Sequence, residues 1–382
     1  MYRVWLELKK IIVLPAVWGF IAACLIFNAY LVYNISGDKY AEYIGHSSQE
    51  TGFILGKEFD ARLEQLAADA SQLEYKKRLQ EETSGMPDVF EGYRTGYIAE
   101  RYISALELSG GIARDMRNKY AALQQVVDEK ASKDESMTLY FAGSTYWQHW
   151  KLFGNLMSWL LLEGALISVL MALLAVGHEH FNHTEQTVYA TKRGRRILRP
   201  KLAASLATGL GAYILLALLT LTAYFCVNDY GGIWGSSVSS GFNYMHDIAA
   251  GDRPYVTWHS FTVFTYFLAA LGLSAGIIIC CSLFGFVIGV LMRNGYLGFL
   301  VFLILCAACV AIPGLLPGNS RMKFVILLSP AWLWLKQLLW FTDGDFDILW
   351  RNFETVGLCA SLLLAALLCL LSTVQFRKRD IQ

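Results

Sequence analysis

Apolar positions along this chain are gathered into long unbroken runs, with polar positions filling the stretches between them. The runs cover about Ile11 to Ile35, Phe153 to Val176, Leu202 to Val227, Phe261 to Leu291, Leu297 to Ile312 and Val356 to Val374. A helix rising about 1.5 Å per residue needs roughly 20 apolar residues to cross a hydrocarbon core about 30 Å thick. The pattern therefore predicts an all-α polytopic membrane protein with six transmembrane helices. The first run exceeds the roughly 7 to 15 apolar residues of a signal peptide and is followed by no small-x-small cleavage site, which predicts a retained anchor. Ahead of it, Arg3, Glu7 and Lys10 share one helical face and Val4, Trp5, Leu8 and Ile12 the other, as in a helix lying on a membrane surface.

The polar stretches differ among themselves. Residues 37–145 are charged and helical in period: Phe59, Leu63, Leu66, Ala70 and Leu73 recur at 4-3-4-3 spacing, Ile98, Tyr102 and Leu106 at four, and Ile112, Met116, Leu123 and Val127 continue the pattern. Breaks at Gly85-Met86-Pro87 and Gly110-Gly111 divide it into about three helices. The expected organisation is a surface helix and first span in 1–36, a helical domain in 37–145, and spans two to six in 146–382. Within the last unit, a polar segment at 177–201 follows span two and an irregular region at 313–347 precedes span six. That region holds an apolar helix of half length, about Ala331 to Phe341, bounded by Pro330 and Gly344. Too short to cross, it reads as a re-entrant helical hairpin, because irregular backbone at membrane depth must be covered by protein. On span four, Gly272 with Gly276 and Gly285 with Gly289 form two small-xxx-small pairs suited to close packing within the subunit or across a dimer.

Charge gives the orientation. Arg3, Lys9 and Lys10, then Lys192 through Lys201, Arg293, and Arg377 to Arg379 all fall on one side of six spans, which the positive-inside rule makes the cytoplasm. Both termini are then cytoplasmic in a cell-membrane protein, the 37–145 domain is extracellular, and the acidic Asp343, Asp345 and Asp347 lie outside. A net charge of +1 supplies no concentrated cationic surface, which argues against nucleic acid as a partner. The eight cysteines lie in or beside apolar runs and none in 37–145, so a disulfide framework is not expected. The Cys306-x-x-Cys309 pair has wholly apolar flanks and reads as packing.

Candidate chemistry is sparse. Gly52 to Glu58 is one residue short of a phosphate loop and carries Glu where Ser or Thr should bind magnesium. His178, Glu179, His180 and His183 form the densest set of potential metal ligands, but Asn182 stands where a zincin needs its second His, so no metal site is expected. No Ser-His-Asp or Cys-His set is placed by sequence, and no enzymatic role is expected. Glu163 sits near the middle of span two, where a carboxylate is expensive unless paired or wetted. It marks either a substrate pathway or a structural polar lock, and Lys336 is its candidate partner if the half-length helix comes near.

The polar segment after span two carries the most specific pattern: Gly177-His178-Glu179, Thr184-Glu185, Thr191-Lys192-Arg193-Gly194-Arg195-Arg196, then Lys201 opening span three. It resembles the cytoplasmic signature of the type-2 (exporter) family of ABC transporter permease subunits, where a Glu is followed by Gly-Thr, an apolar helix, a Ser-Arg or Gly-Arg pair and a Lys. Thr184 and Arg195 keep the family offsets from Glu179; His183 replaces the usual Gly, and Lys192 occupies a common Pro position. The placement between spans two and three also matches. The resemblance implies that Glu179, Thr184, Gly194, Arg195, Arg196 and Lys201 belong to a coupling segment that receives motion from a separate ABC ATP-binding subunit. It further implies that ATP and Mg are bound by that partner rather than by this chain, and that a second permease subunit completes a homo- or heterodimer in the lipid bilayer. Cargo would move outward, amphipathic or hydrophobic in kind, with an antimicrobial peptide as one candidate. The reading from another class is a membrane sensor or scaffold with a helical extracellular domain.

Overall fold

The computed structural model describes residues 2–143, 147–184, 197–292 and 294–378. Among them six helices are long and apolar enough to cross a membrane: Pro15–Ile35, Trp147–Phe181, Leu198–Val227, Val263–Leu291, Gly295–Leu315 and Phe353–Phe376. The chain is a mostly helical, multi-pass membrane protein. Three spans open on a local signal: Pro15 opens span one with its ring φ preset, a Thr262–Thr265 capping box opens span four, and the Asn294 carboxamide accepts the Tyr296 and Leu297 amides to open span five.

Spans two and four form the centre and are the most buried, whereas span five is almost wholly exposed on its flanks. Lipid solvates Leu as well as another helix does, so close contact here comes from small residues. A Cβ on Gly285 would stand 3.0 Å from the Val169 backbone of span two, and one on Gly209 of span three 2.9 Å from Ser168. Gly276 faces Leu358 of span six and Gly289 faces Val176 of span two, while Gly272 meets open space. Three of the four glycines on span four thus pack inside the subunit.

At one end of the bundle, the links between spans one and two, three and four, and five and six meet. Residues 37–143 contain five helices rather than about three: Lys39–Thr51, Lys57–Gln65, Leu73–Thr83, Gly96–Ala105 and Gly110–Ala131. The predicted continuous stripe from Phe59 to Leu73 is cut after Leu66, because Asp69 accepts the Ser71 and Gln72 amides and turns the chain; Leu73 ends up exposed. The link between spans three and four is not featureless either: it holds a 3₁₀ turn at Gly231–Gly235 and a two-stranded antiparallel pair, Tyr244–Met245 with Arg253–Pro254. A second hydrophobic core joins all three links, with Ile98, Tyr102, Met116, Tyr120 and Leu123 packed on Val256 and Trp258 and on Phe324, Leu327 and Leu349.

The half-length helix is shorter than expected, Pro330–Leu335 followed by a 3₁₀ turn at Gln337–Leu339. Its indoles hang it on the bundle: Trp332 Nε1 donates to Cys309 O of span five and Trp334 Nε1 to Ser158 O of span two, both at 2.9 Å. All eight cysteines are free thiols.

Candidate functional site

At the opposite end of the bundle, the carboxyl end of span two and the amino end of span three flank residues 185–196. The span-two helix stops in a Schellman arrangement. His183 takes the left-handed conformation (φ 53°), its N–H donates to His180 O at 3.1 Å, and the Thr184 N–H reaches back to Glu179 O at 2.9 Å. The residue before Thr184 thus occupies a position that glycine fills without a Cβ penalty, and His183 fills it here at a cost.

One turn inside that stop, Glu179 is buried and meets a set of charges from three elements. Lys201 of span three, fully buried, donates to the Glu179 carboxylate and to Ala175 O. Lys10 of the amino-terminal helix Tyr2–Ile12 lies 3.3 Å from Glu179 Oε1 and 2.8 Å from Glu7 Oε1, and Glu7 lies 3.8 Å from Lys201. Two carboxylates and two ammonium groups make the quartet neutral, which is what lets it persist out of water. Lys201 also satisfies a span-two carbonyl near a helix end where cations are favoured. Burial works against the Lys10 ammonium, but the Glu7 and Glu179 carboxylates hold its pKa above the ordinary lysine value.

The quartet corrects the reading of the amino-terminal helix. Glu7, placed by sequence on a solvated face, is buried with Ile11, whereas Trp5 and Ile12 are exposed. Of the sequence-predicted coupling residues, Glu179, Thr184 and Lys201 are brought together; Gly194, Arg195 and Arg196 lie outside the described residues. Sequence reasoning missed Glu7 and Lys10 as partners, the one available signal being their i,i+3 spacing beside an apolar face.

Glu163 stands elsewhere on span two. Its Oε2 accepts the Asn28 carboxamide of span one at 2.8 Å, with the Cys24 thiol beside it. The candidate partner Lys336 is committed away from it, to Asp345 and, at 3.7 Å, to Asp347. Lys323 holds Asp347 from the other side at 3.3 Å. The acidic cluster is therefore neutralised rather than presented as a charged surface.

Its third member, Asp343, belongs to a buried polar network that ties the three links together. Arg253 reaches Asp343 at 2.9 Å, Asp247 at 3.4 Å, the Tyr102 hydroxyl at 3.2 Å and Gly344 O at 2.7 Å, while Lys119 donates to Asp343 O and Ile348 O. Burial works against the Asp247 carboxylate, yet the Tyr102 hydroxyl, the Ala250 and Ala249 amides and the Arg253 charge hold its pKa below the ordinary aspartate value. Burial, helped by the Arg253 charge, brings the Lys119 ammonium down to about 8 against the pull of Asp343. The geometry of this network is that of a clasp between chain segments.

No protein-family model, curated protein or solved structure matches this chain.

Proposed function

We propose that this chain is the membrane-spanning permease subunit of an ATP-driven exporter of the ABC type-2 kind, moving an amphipathic or hydrophobic cargo outward with a separate ATPase. The observation that carries the reading is the quartet of Glu7, Lys10, Glu179 and Lys201, in which all but the partly exposed Lys10 are buried. It fastens both ends of the 185–196 segment and the amino-terminal helix into one unit, so force applied to that segment enters spans two and three together. In this reading the quartet end faces the cytoplasm, in keeping with the Lys and Arg distribution, and both termini lie there. The clasped links form an extracellular unit, and Pro330–Leu339 is the re-entrant element beneath it. Arg195 and Arg196 offer bidentate contacts to carboxylates of the ATPase, and ATP with Mg resides on that partner. A second permease subunit completes the transport path, with Glu163 beside it.

Co-purification tests this. The reading expects a stoichiometric ATPase in the isolated complex and loss or uncoupling of ATP turnover on Glu179→Ala or Arg195→Ala. Variants that bind the ATPase and couple normally would remove the coupling role, and a complex with no ATPase would favour a sensor or scaffold.

A further inference from the structure

Glu163 and Asn28 are both nearly inaccessible, yet their polar atoms are not mutually satisfied. The Asn28 amide nitrogen is spent on Glu163 Oε2, and Asn28 Oδ1 is buried without a donor. Among the described residues the groups acting on the Glu163 carboxyl are Asn28 and Cys24, neither of them cationic. Two acceptor oxygens thus converge in the interior of the bundle with no counter-charge beside them. That is the reverse of the quartet at Glu179, where every carboxylate has a lysine.

The surroundings suit a cation. Trp159, about one turn from Glu163, packs edge-on to Phe27, the neighbour of Asn28, at 5.2 Å, and Trp159 is itself exposed. An aromatic pair, whose ring faces attract cations, thus lies beside Asn28 at an exposed flank of the bundle. A primary ammonium supplies what the pair lacks: one positive charge for Glu163 and spare N–H donors, one of which can reach Asn28 Oδ1.

We propose that Glu163 and Asn28, at the contact of spans one and two, form a subsite for the primary ammonium group of an amphipathic cargo. The inference rests on the permease reading for its place in transport, but the site is tested on the chain alone. The full-length protein in lipid nanodiscs is titrated with dodecylammonium, dodecyltrimethylammonium and dodecanol, and saturable binding is taken above partition into empty nanodiscs. Wild type should bind dodecylammonium best and dodecanol without saturation, and Glu163→Gln should weaken dodecylammonium about tenfold or more, the scale of a charge-assisted contact. Asn28→Leu should erase the preference for the primary over the trimethylated ion, because only the former donates to Oδ1; this variant carries the test if Glu163→Gln does not fold. Equal binding to wild type and Glu163→Gln, as expected if Glu163 only holds a proton, overturns the proposal, as does a preference that survives Asn28→Leu. A site that behaves as proposed in a protein with no ATPase partner removes the permease reading alone. A coupled ATPase with ammonium binding indifferent to Glu163 removes this inference alone.

Discussion

Two carboxylates on one helix, about four turns apart, are treated in opposite ways. Glu179 near the end of span two is enclosed by Lys201 and Lys10 and shares them with Glu7. Glu163 in the middle of the same span has a carboxamide and a thiol for company, and no cation. Burial is nearly the same for both, so burial does not distinguish them; the counter-charge does. A neutralised buried pair fixes geometry, because neither partner can leave without stranding the other, whereas an uncompensated carboxylate is a vacancy for something that arrives. The first suits an element that transmits force and the second a place that meets cargo.

The sharpest way to break the contrast is to remove one charge from each. Glu179→Ala or Lys201→Met should destabilise the folded protein by about 3–5 kcal/mol, the range for stranding one half of a buried pair. The double variant Glu179→Gln with Lys201→Met should cost less than the sum of its parts. Thermal unfolding in a fixed detergent reads both. Arg253→Leu, which strands Asp247 and Asp343 in the clasp between the three links, should cost a similar about 3–5 kcal/mol and loosen those links first, seen as early hydrogen exchange at Tyr102 and Tyr120.

The same clasp has an acid limb. Because the folded-state pKa of Asp247 is lowered, its contribution is full above the unfolded aspartate value of about 3.9 and is lost as pH falls through the lower folded-state value. Acid titration of Trp258 fluorescence in the full chain should show this loss, and Asp247→Asn should flatten it while lowering stability at neutral pH. Smaller still, His183→Gly should stabilise by about 0.5–1 kcal/mol, since glycine takes the left-handed stop without a Cβ clash. Glu163→Gln should change unfolding by less than about 1 kcal/mol, as no ion pair is broken. A loss as large as that of Glu179→Ala would erase the contrast.

How far these features are legible in the sequence follows from the range of the forces that make them. The spans are legible because the bilayer imposes a length that no soluble core requires, and their ends moved by only a few residues, as from Phe153 to Trp147 at the start of span two. Glu179, Thr184 and Lys201 are grouped in the sequence only by the family resemblance; the Schellman stop and the Lys201 ion pair that join them are seen in the structure. The extra breaks in 37–143 are not legible, because Leu66 to Leu73 keeps helical spacing while the Asp69 side chain, a stronger local competitor, turns the backbone. The partners of Glu163 and Glu179 are not either: Asn28 and Glu7 reach them only through the rotation of span one and of the amino-terminal helix against span two, which packing decides. Lys336 shows the converse, as two nearer aspartates claimed it.

For the proposed function, the link between spans two and three must lie in the cytoplasm, where an ATPase can act on it. Thr187→Cys, treated with a membrane-impermeant maleimide against the unsubstituted chain as background, tests it most directly, with Glu107→Cys as the outer reference. The account predicts labelling at 187 in inverted vesicles and not in intact cells, with the reverse at 107. Labelling of 187 from outside intact cells would contradict it.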